Sequence, residues 1–435
     1  MARSLSAGAE PARPTPYAAM KPPVRIGLIG MGGFAGSHHH AVATLEERGQ
    51  ARLVCTCDPR AAWFAVEQQK WRFAGRGVRV FDDYRAMLAS CHRDLDLVVV
   101  PTPIQLHAEM HAAATALGLP VYLEKPPTLD HAELEQMIAA DTRARKASFV
   151  GFNFIIEKPR LALKERLLAG EFGAVRGATL SALWPRPASY FSRNDWAGRL
   201  LIDGRAVLDS CFGNAMAHFV HNLLFWVGTG ELFSWAQPAA VRAELYRAHA
   251  IEGADTFFVE ADTTAGVTMR VALSHACAGP STQLEMVLCD KAVIRYAVGQ
   301  QIEIRWADGR VEKFAPDAFD PLVENHLDFY RYLRGETERP ATTLTDSRPF
   351  VVLNDLAYIS SGRIAPIPAA LVRDVREEKE QKNYLDVTGM TAAHERFLVR
   401  GVWPGANGWE RTAGEVVTPA DLPRFQDTVR GMAAK

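Results

Sequence analysis

The glycine-rich stretch Gly30-Met-Gly32-Gly33-Phe34-Ala35, set directly after the apolar run 24–29, constrains the fold of this chain more than any other feature. Gly30 permits a tight turn, and Gly32 lets backbone approach a pyrophosphate without a Cβ in the way. Ala35 is small enough for the next helix to pack on the strand. A helix starting there offers unpaired N–H groups and the positive end of its dipole to phosphates. The G-x-G-x-x-A spacing alone is weak. It gains weight from the strand before it, the helix after it, and a second apolar run, 51–57, that ends at Asp58. An acid there binds ribose hydroxyls and repels a 2′-phosphate, which favours NAD, while Arg60 keeps NADP open. Gly30, Gly32, Gly33, Phe34, Ala35, Asp58 and Arg60 are therefore expected to hold the dinucleotide.

Further near-continuous apolar runs at 95–100 and 120–123 alternate with helical patterns. That alternation predicts a parallel sheet covered on both faces. A helix over 107–117 should stop at Gly118 and Pro120, and another should start at Asp130, three residues before Glu133. The character changes after Phe149. A helix over 160–169 precedes strand-like segments at 175–184, 241–248, 256–260, 267–274 and 283–306, whose Thr, Val, Ile and Tyr suit a largely antiparallel sheet. Residues 307–310 read as a hairpin turn, and Asp320-Pro321 opens a helix closing at Gly335. A chain of 435 residues suits two domains and an appendage. The reading is a flexible arm (1–22), an α/β Rossmann domain (23–148), an α+β domain with a large open, mostly antiparallel sheet (149–365), and a C-terminal appendage (366–435). The appendage holds a charge run at 376–382 and a last helix capped at Thr418-Pro419, and is expected to wrap a neighbouring subunit or cover the cleft.

A net charge of -1, from 49 basic and 50 acidic residues, argues against a nucleic-acid partner. No apolar run approaches the roughly 20 residues that span a bilayer. The first 22 residues lack the apolar core of a secretory signal, and six scattered cysteines form no C-x-x-C, so a reducing cytoplasm is expected. His38-His39-His40 invites a metal reading, but adjacent helical residues point in different directions, so no metal is assigned. His326, on the apolar face of the Leu322/Phe329/Leu333 helix, reads as structural.

Two loops leave the carboxyl ends of the fourth and fifth strands, where ligands of such sheets bind. One carries Thr102, Pro103 and, further on, His107; the other carries Glu124-Lys125-Pro126. Beside Glu124 and near a nicotinamide cation, Lys125 would have a lowered proton affinity and could join proton transfer. From spacing alone, an ordinary surface lysine weighs equally.

The glycine loop, the Thr-Pro turn, Glu-Lys-Pro and the Val150-Gly151-Phe152-Asn153 crossing together resemble the Gfo/Idh/MocA oxidoreductases, over residues 24–365. The resemblance implies that Lys125 contacts substrate and nicotinamide ribose, that Thr102, Pro103 and His107 line the nicotinamide side, and that Asn153 borders the ring. It also implies a homodimer or homotetramer formed through the open sheet, and substrates among sugars, cyclitols, glycosides and other polyols. That family usually carries Asp, three residues, then His; the matching stretch here is Asn214 to His218, followed by His221. Helical spacing puts 214, 218 and 221 on one face, and His218 could take a hydroxyl proton while hydride leaves the same carbon. A lone helical histidine is more often structural; three polar residues in an apolar segment favour function. Asn214 can orient an imidazole but cannot stabilise its cation by charge. Upstream, the loop with Arg193 and Trp196 offers ring faces and hydroxyl-binding groups suited to a sugar, against the alternative of an ordinary exposed loop. Three readings stand: a dehydrogenase or reductase of sugars or polyols, a glycosidase acting through transient oxidation, and a non-catalytic dinucleotide-binding regulator.

Overall fold

The computed structural model describes residues 21–379 and 381–434, so the expected N-terminal arm lies almost wholly outside the described residues. Six strands, β1 (Val24–Ile29), β2 (Ala51–Cys57), β3 (Arg79–Phe81), β4 (Leu97–Val100), β5 (Val121–Leu123) and β6 (Phe149–Val150), form one parallel sheet. Its order is β3-β2-β1-β4-β5-β6, which reverses direction between β1 and β4 and so opens a crevice at the strands' carboxyl ends. Helices α1 (Ala35–Glu47), α2 (Ala65–Lys70), α3 (Phe73–Arg76), α4 (Tyr84–Cys91), α5 (His107–Thr115) and α6 (His131–Asp141) connect the strands. The central strands are apolar on both faces because both are covered; β4 is wholly buried. By contrast β3 is an edge strand with exposed Arg79 and Val80, and without an apolar run it escaped the sequence reading. The sixth strand extends the same sheet past the expected boundary at 148/149. At α6, Asp130 accepts the N–H groups of Ala132 and Glu133, as its capping position predicts.

Beyond β6, helix α7 (Lys158–Leu168) precedes β7 (Val175–Leu183), a small hairpin of β8 (Leu201–Ile202) and β9 (Arg205–Ala206), and helix α8 (Ala217–Val227). Then come β10 (Pro238–Arg247), β11 (Thr256–Thr263), β12 (Thr268–Ser274), β13 (Thr282–Cys289), β14 (Ala292–Tyr296), β15 (Ile302–Trp306) and β16 (Val311–Phe314). Helices α9 (Pro321–Leu333) and α10 (Leu344–Ser361) and strand β17 (Ile364–Pro366) follow. A nine-stranded sheet runs β16-β15-β14-β13-β7-β12-β11-β10-β17, antiparallel except at β7/β12 and β10/β17. The segment 283–306, read as one strand-like stretch, is three strands, because the chain turns at Asp290-Lys291 and again around Gly299. One face of this sheet packs on α8 and α10. Helix α9 instead lies against α1 of the Rossmann domain, and Arg334 just after it donates to the Gln50 carbonyl. The two domains therefore share packed helices.

The C-terminal segment adds a hairpin, β18 (Val372–Glu377) with β19 (Lys382–Val387), and helices α11 (Met390–Arg400) and α12 (Phe425–Ala433). Met390, Ala393, Phe397 and Trp403 cover Tyr246, Phe258 and Ala272 on the sheet face turned away from α10. The expectation that this segment wraps a neighbour or lids the cleft is thus corrected: its apolar side is consumed by the chain's own sheet. All six cysteines are free thiols, five of them buried. Among the described residues no helix is long and apolar enough to cross a membrane.

Candidate active site

At the end of β1 the backbone adopts the conformation that the glycines allow. Gly30 has φ +107° and Gly33 φ +55°, both in the left-handed region. At Gly32 a Cβ would lie 2.8 Å from Phe64 Cζ, so any side chain would displace that ring. The amides of Gly32, Gly33 and Phe34 donate to no group among the described residues, which leaves them free for a phosphate at the start of α1. Asp58 ends β2 and accepts from the N–H of Met31, at 3.1 Å, and of Arg60, at 2.9 Å. It therefore ties the glycine loop to the end of the second strand. The Arg60 guanidinium stacks over Trp63, 4.8 Å from the ring centre. Free amides, glycines in the left-handed region and a carboxylate after the second strand together fit a dinucleotide.

Lys125 follows β5, and its peptide bond to Pro126 is cis. Its ammonium crosses to the other domain, donating to the Asn214 carbonyl at 2.8 Å and to Asn214 Oδ1 at 3.3 Å. Burial lowers the proton affinity of Lys125, and the charges of Glu124 and Asp209 oppose that. Asn214 itself lies in a single π-helical turn, Cys211–Ala215, ahead of α8. From there its Nδ2 donates to Asp209 Oδ1 at 2.7 Å. The carboxylate missing from position 214 is thus supplied five residues upstream. Sequence reasoning missed Asp209, which belongs to no periodic pattern. The residue before it, Leu208, has φ +45°, a strained conformation for a leucine. Asp209 Oδ2 also accepts the Gly198 N–H at 2.8 Å and lies 3.5 Å from Arg193 Nη2. Arg193 packs over Tyr190, at 3.6 Å, and Trp196, at 4.9 Å, so the loop expected to meet substrate reaches the same carboxylate.

His218 is buried at the start of α8, and its Nδ1 accepts the backbone N–H of Asn153 at 3.2 Å. A backbone N–H can only donate, so neutral His218 carries its proton on Nε2. Burial and the Lys125 charge push its proton affinity well below the usual range. In that tautomer its Nε2–H is a donor, whereas the expectation has His218 take the hydroxyl proton. Asn153 is held in turn by Asn325 Nδ2, at 3.1 Å from its Oδ1.

Two other expected residues do not reach the crevice. His107 is buried between carbonyls, with Nε2 2.8 Å from Thr102 O and Nδ1 3.1 Å from Pro126 O. It clamps the Thr102-Pro103 turn to the Lys125-Pro126 loop. The fully buried His221 stacks on Phe152, with ring centres 3.8 Å apart, and burial lowers its pKa to about 3. Asn214, in its π-turn, has left the helical face that spacing predicted, and His221 points into the core rather than at a substrate. The three consecutive histidines diverge: His38 contacts Glu124, His39 contacts Gly30 O, and His40 is exposed.

The fold and site define a two-domain protein with an NAD-binding Rossmann fold and a sheet-rich second domain. Residues 24–152 match the family model described as "Oxidoreductase family, NAD-binding Rossmann fold". Over those residues the chain is similar to the NAD-binding domain of the Gfo/Idh/MocA oxidoreductases. An inositol 2-dehydrogenase of Rhizobium meliloti is 29% identical over 175 residues, covering 39% of this chain and 49% of the relative. A D-glucoside 3-dehydrogenase of Escherichia coli is 27% identical over 161 residues, covering 37% and 44%. The chain thus spans about half the length of the curated relatives it matches. Among solved structures, the WlbA dehydrogenase from Bordetella pertussis, in complex with NADH and UDP-GlcNAcA, superposes with TM-score 0.63 at 23% identity, covering 78% of this chain and 96% of that one. A levoglucosan dehydrogenase in complex with NADH superposes with TM-score 0.66 at 17% identity, covering 78% and 96%. At such identities the superpositions establish the fold.

Proposed function

We propose that this protein is a nicotinamide-dependent oxidoreductase acting at a hydroxyl-bearing carbon of a sugar, cyclitol or glycoside. The observation that carries the reading is the convergence of Lys125 from one domain with Asn214 from the other, beside His218, at the carboxyl end of the parallel sheet. The glycine loop, Asp58 and the Thr102-Pro103 turn would hold NAD; the acid at 58 favours it over NADP, with Arg60 beside it. When bound, NAD supplies the hydride acceptor.

This chain's own residues then do the acid–base work. Lys125, whose proton affinity burial lowers, takes the substrate hydroxyl proton on Nζ in its neutral form. The Nε2–H of His218 donates to the same oxygen and fixes it, and Asn153 holds the imidazole in that tautomer. Asn214 carries the charge of Asp209 to Lys125. Arg193 and Trp196 take the outer hydroxyls and a ring face of the sugar. The relatives' printed names, inositol and glucoside dehydrogenases, support this substrate class. We further place the chain in the cytoplasm, in keeping with its free thiols, as a homodimer or homotetramer. Its contact would use the sheet face left open beside α11, where Leu284, Met286 and Leu288 are half-buried; light scattering of a Met286→Lys variant tests that.

The deciding experiment measures NAD reduction over a panel of inositols, free sugars and glycosides, with wild type and Lys125→Ala. Turnover by wild type, lost at least a hundredfold in Lys125→Ala with NAD affinity kept, is expected. Equal turnover in both proteins would reject the assignment of Lys125. Aglycone release without net NADH would favour the glycosidase, and NAD binding with no turnover at all would favour the regulator.

A further inference from the structure

The buried carboxylate of Glu124 stands at one end of a chain of side chains that the reaction as described does not use. Its Oε1 is 2.9 Å from His38 Nε2, and its Oε2 accepts the Lys125 backbone N–H at 3.2 Å. His38 Nδ1 is 3.1 Å from His326 Nε2, and His326 Nδ1 is 3.1 Å from the Tyr330 hydroxyl. His38, His326 and Tyr330 have no exposed surface, and Glu124 is 6% exposed. His38 lies on α1, and His326 and Tyr330 lie one helical turn apart on α9, so the chain crosses the contact between the two domains' helices.

The direction of the protons follows from the carboxylate end. An ionised Glu124 can only accept, so His38 carries its proton on Nε2. Neutral His38 then accepts at Nδ1, so His326 carries its proton on Nε2. His326 must accept at Nδ1, and the Tyr330 hydroxyl donates to it. Each donor points toward Glu124. Tyr122 packs against both imidazoles, 5.1 Å from the His38 ring and 4.6 Å from that of His326. At Gly151 a Cβ would lie 2.8 Å from Glu124 Oε1, so it is the glycine that leaves room for the carboxylate.

We propose that Tyr330, His326 and His38 are positioning residues: a one-way hydrogen-bond chain that holds Glu124 as an oriented carboxylate behind Lys125 and so sets the ionisation of the site's ammonium. The inference rests on the reading of Lys125 as the amine that takes the substrate proton. Groups that face Lys125 are Glu124, Asp209, Asn214 and His218; those that face Glu124 are His38, His107, Tyr122 and Lys125. Removing a donor from Glu124 makes its ionised form costlier and moves the carboxylate, and both weaken support for the ammonium.

The test needs no substrate. Competitive acetylation of the full chain with acetic anhydride, read at Lys125 by peptide mass spectrometry from pH 6 to 10, gives the midpoint of that amine. His38→Leu and His326→Leu should lower the midpoint by about half a pH unit or more. His38→Gln, whose amide can again donate to Glu124, should restore it, and in a Glu124→Gln background the leucine substitutions should add nothing. Leucine variants that melt at lower temperature but keep the wild-type midpoint would overturn the proposal, leaving a packing role only. Should those variants fail to fold, ¹⁵N-histidine NMR of wild type and Tyr330→Phe decides. Both histidines should be Nε2–H tautomers, with the His326 signals moved in Tyr330→Phe; an Nδ1–H tautomer at His38 would overturn it. A shifted Lys125 midpoint alongside no turnover on any sugar would keep the chain and reject the proposed reaction.

Discussion

Asp209→Asn is the most informative single substitution, because it keeps the shape while removing one charge and one of two acceptor oxygens. Asp209 is 3% exposed and reaches Lys125 only through Asn214. The contacts of 3.3 Å and 2.7 Å, with the width of one amide between them, put the carboxylate within about 8 Å of the ammonium. At an effective dielectric of about 20, a unit charge there contributes about 2 kcal/mol, or about 1.5 pK units. Lys125 opens on the crevice, so solvent reduces this to roughly one unit. The sign is definite. A carboxylate favours the charged amine, so its loss adds to the lowering that burial already causes, and Lys125 should deprotonate about one pH unit lower. The acetylation assay described above reads that midpoint, with thermal melting to show that the fold survives. A midpoint that stays within 0.2 pH unit of wild type, or one that rises, would show that Asp209 does not act on Lys125. The neutral variant also leaves Arg193 without its anion, so affinity for sugar should fall while NAD affinity holds.

Other expectations concern separate parts of the molecule. Gly32→Ala places a Cβ against Phe64 in the loop next to the free amides and should weaken NAD binding at least tenfold, measured by fluorescence titration, with little loss of stability. Arg160→Met removes a guanidinium buried between Glu285, at 2.6 Å, and Glu157, at 3.3 Å. Leaving those carboxylates unpaired should cost about 3–5 kcal/mol, read from urea unfolding; a loss under 1 kcal/mol would refute the buried-pair argument. Four buried histidines have pKa values lowered by burial, His39 to about 4 and His221, His275 and His394 to about 3. The unfolded chain binds those protons near pH 6.5, so this stability is complete above pH 6.5 and falls from there toward pH 4, by up to about 1.4 kcal/mol per pH unit for each histidine. A urea midpoint equal at pH 7 and pH 5 would contradict this.

What the sequence by itself determined is local. The glycine loop, the β1 and β2 runs, the acid at 58 and the caps at Asp130, Asp320 and Thr418 act within a few residues, so pattern and propensity suffice to read them. Lys125, Asn214 and His218 were legible because motif spacing marks them. Only the tertiary structure decided their contacts. His218 is a donor because a backbone amide from 65 residues away occupies Nδ1, and His221 is core because Phe152 covers it. Asp209 joins Lys125 across two domains, and His38 meets His326 across 288 residues. The amphipathic α11 gives no hint of its partner until the sheet that it covers is assembled. A hydrogen bond or a packed face depends on distance in space, and sequence patterns report distance only along the chain.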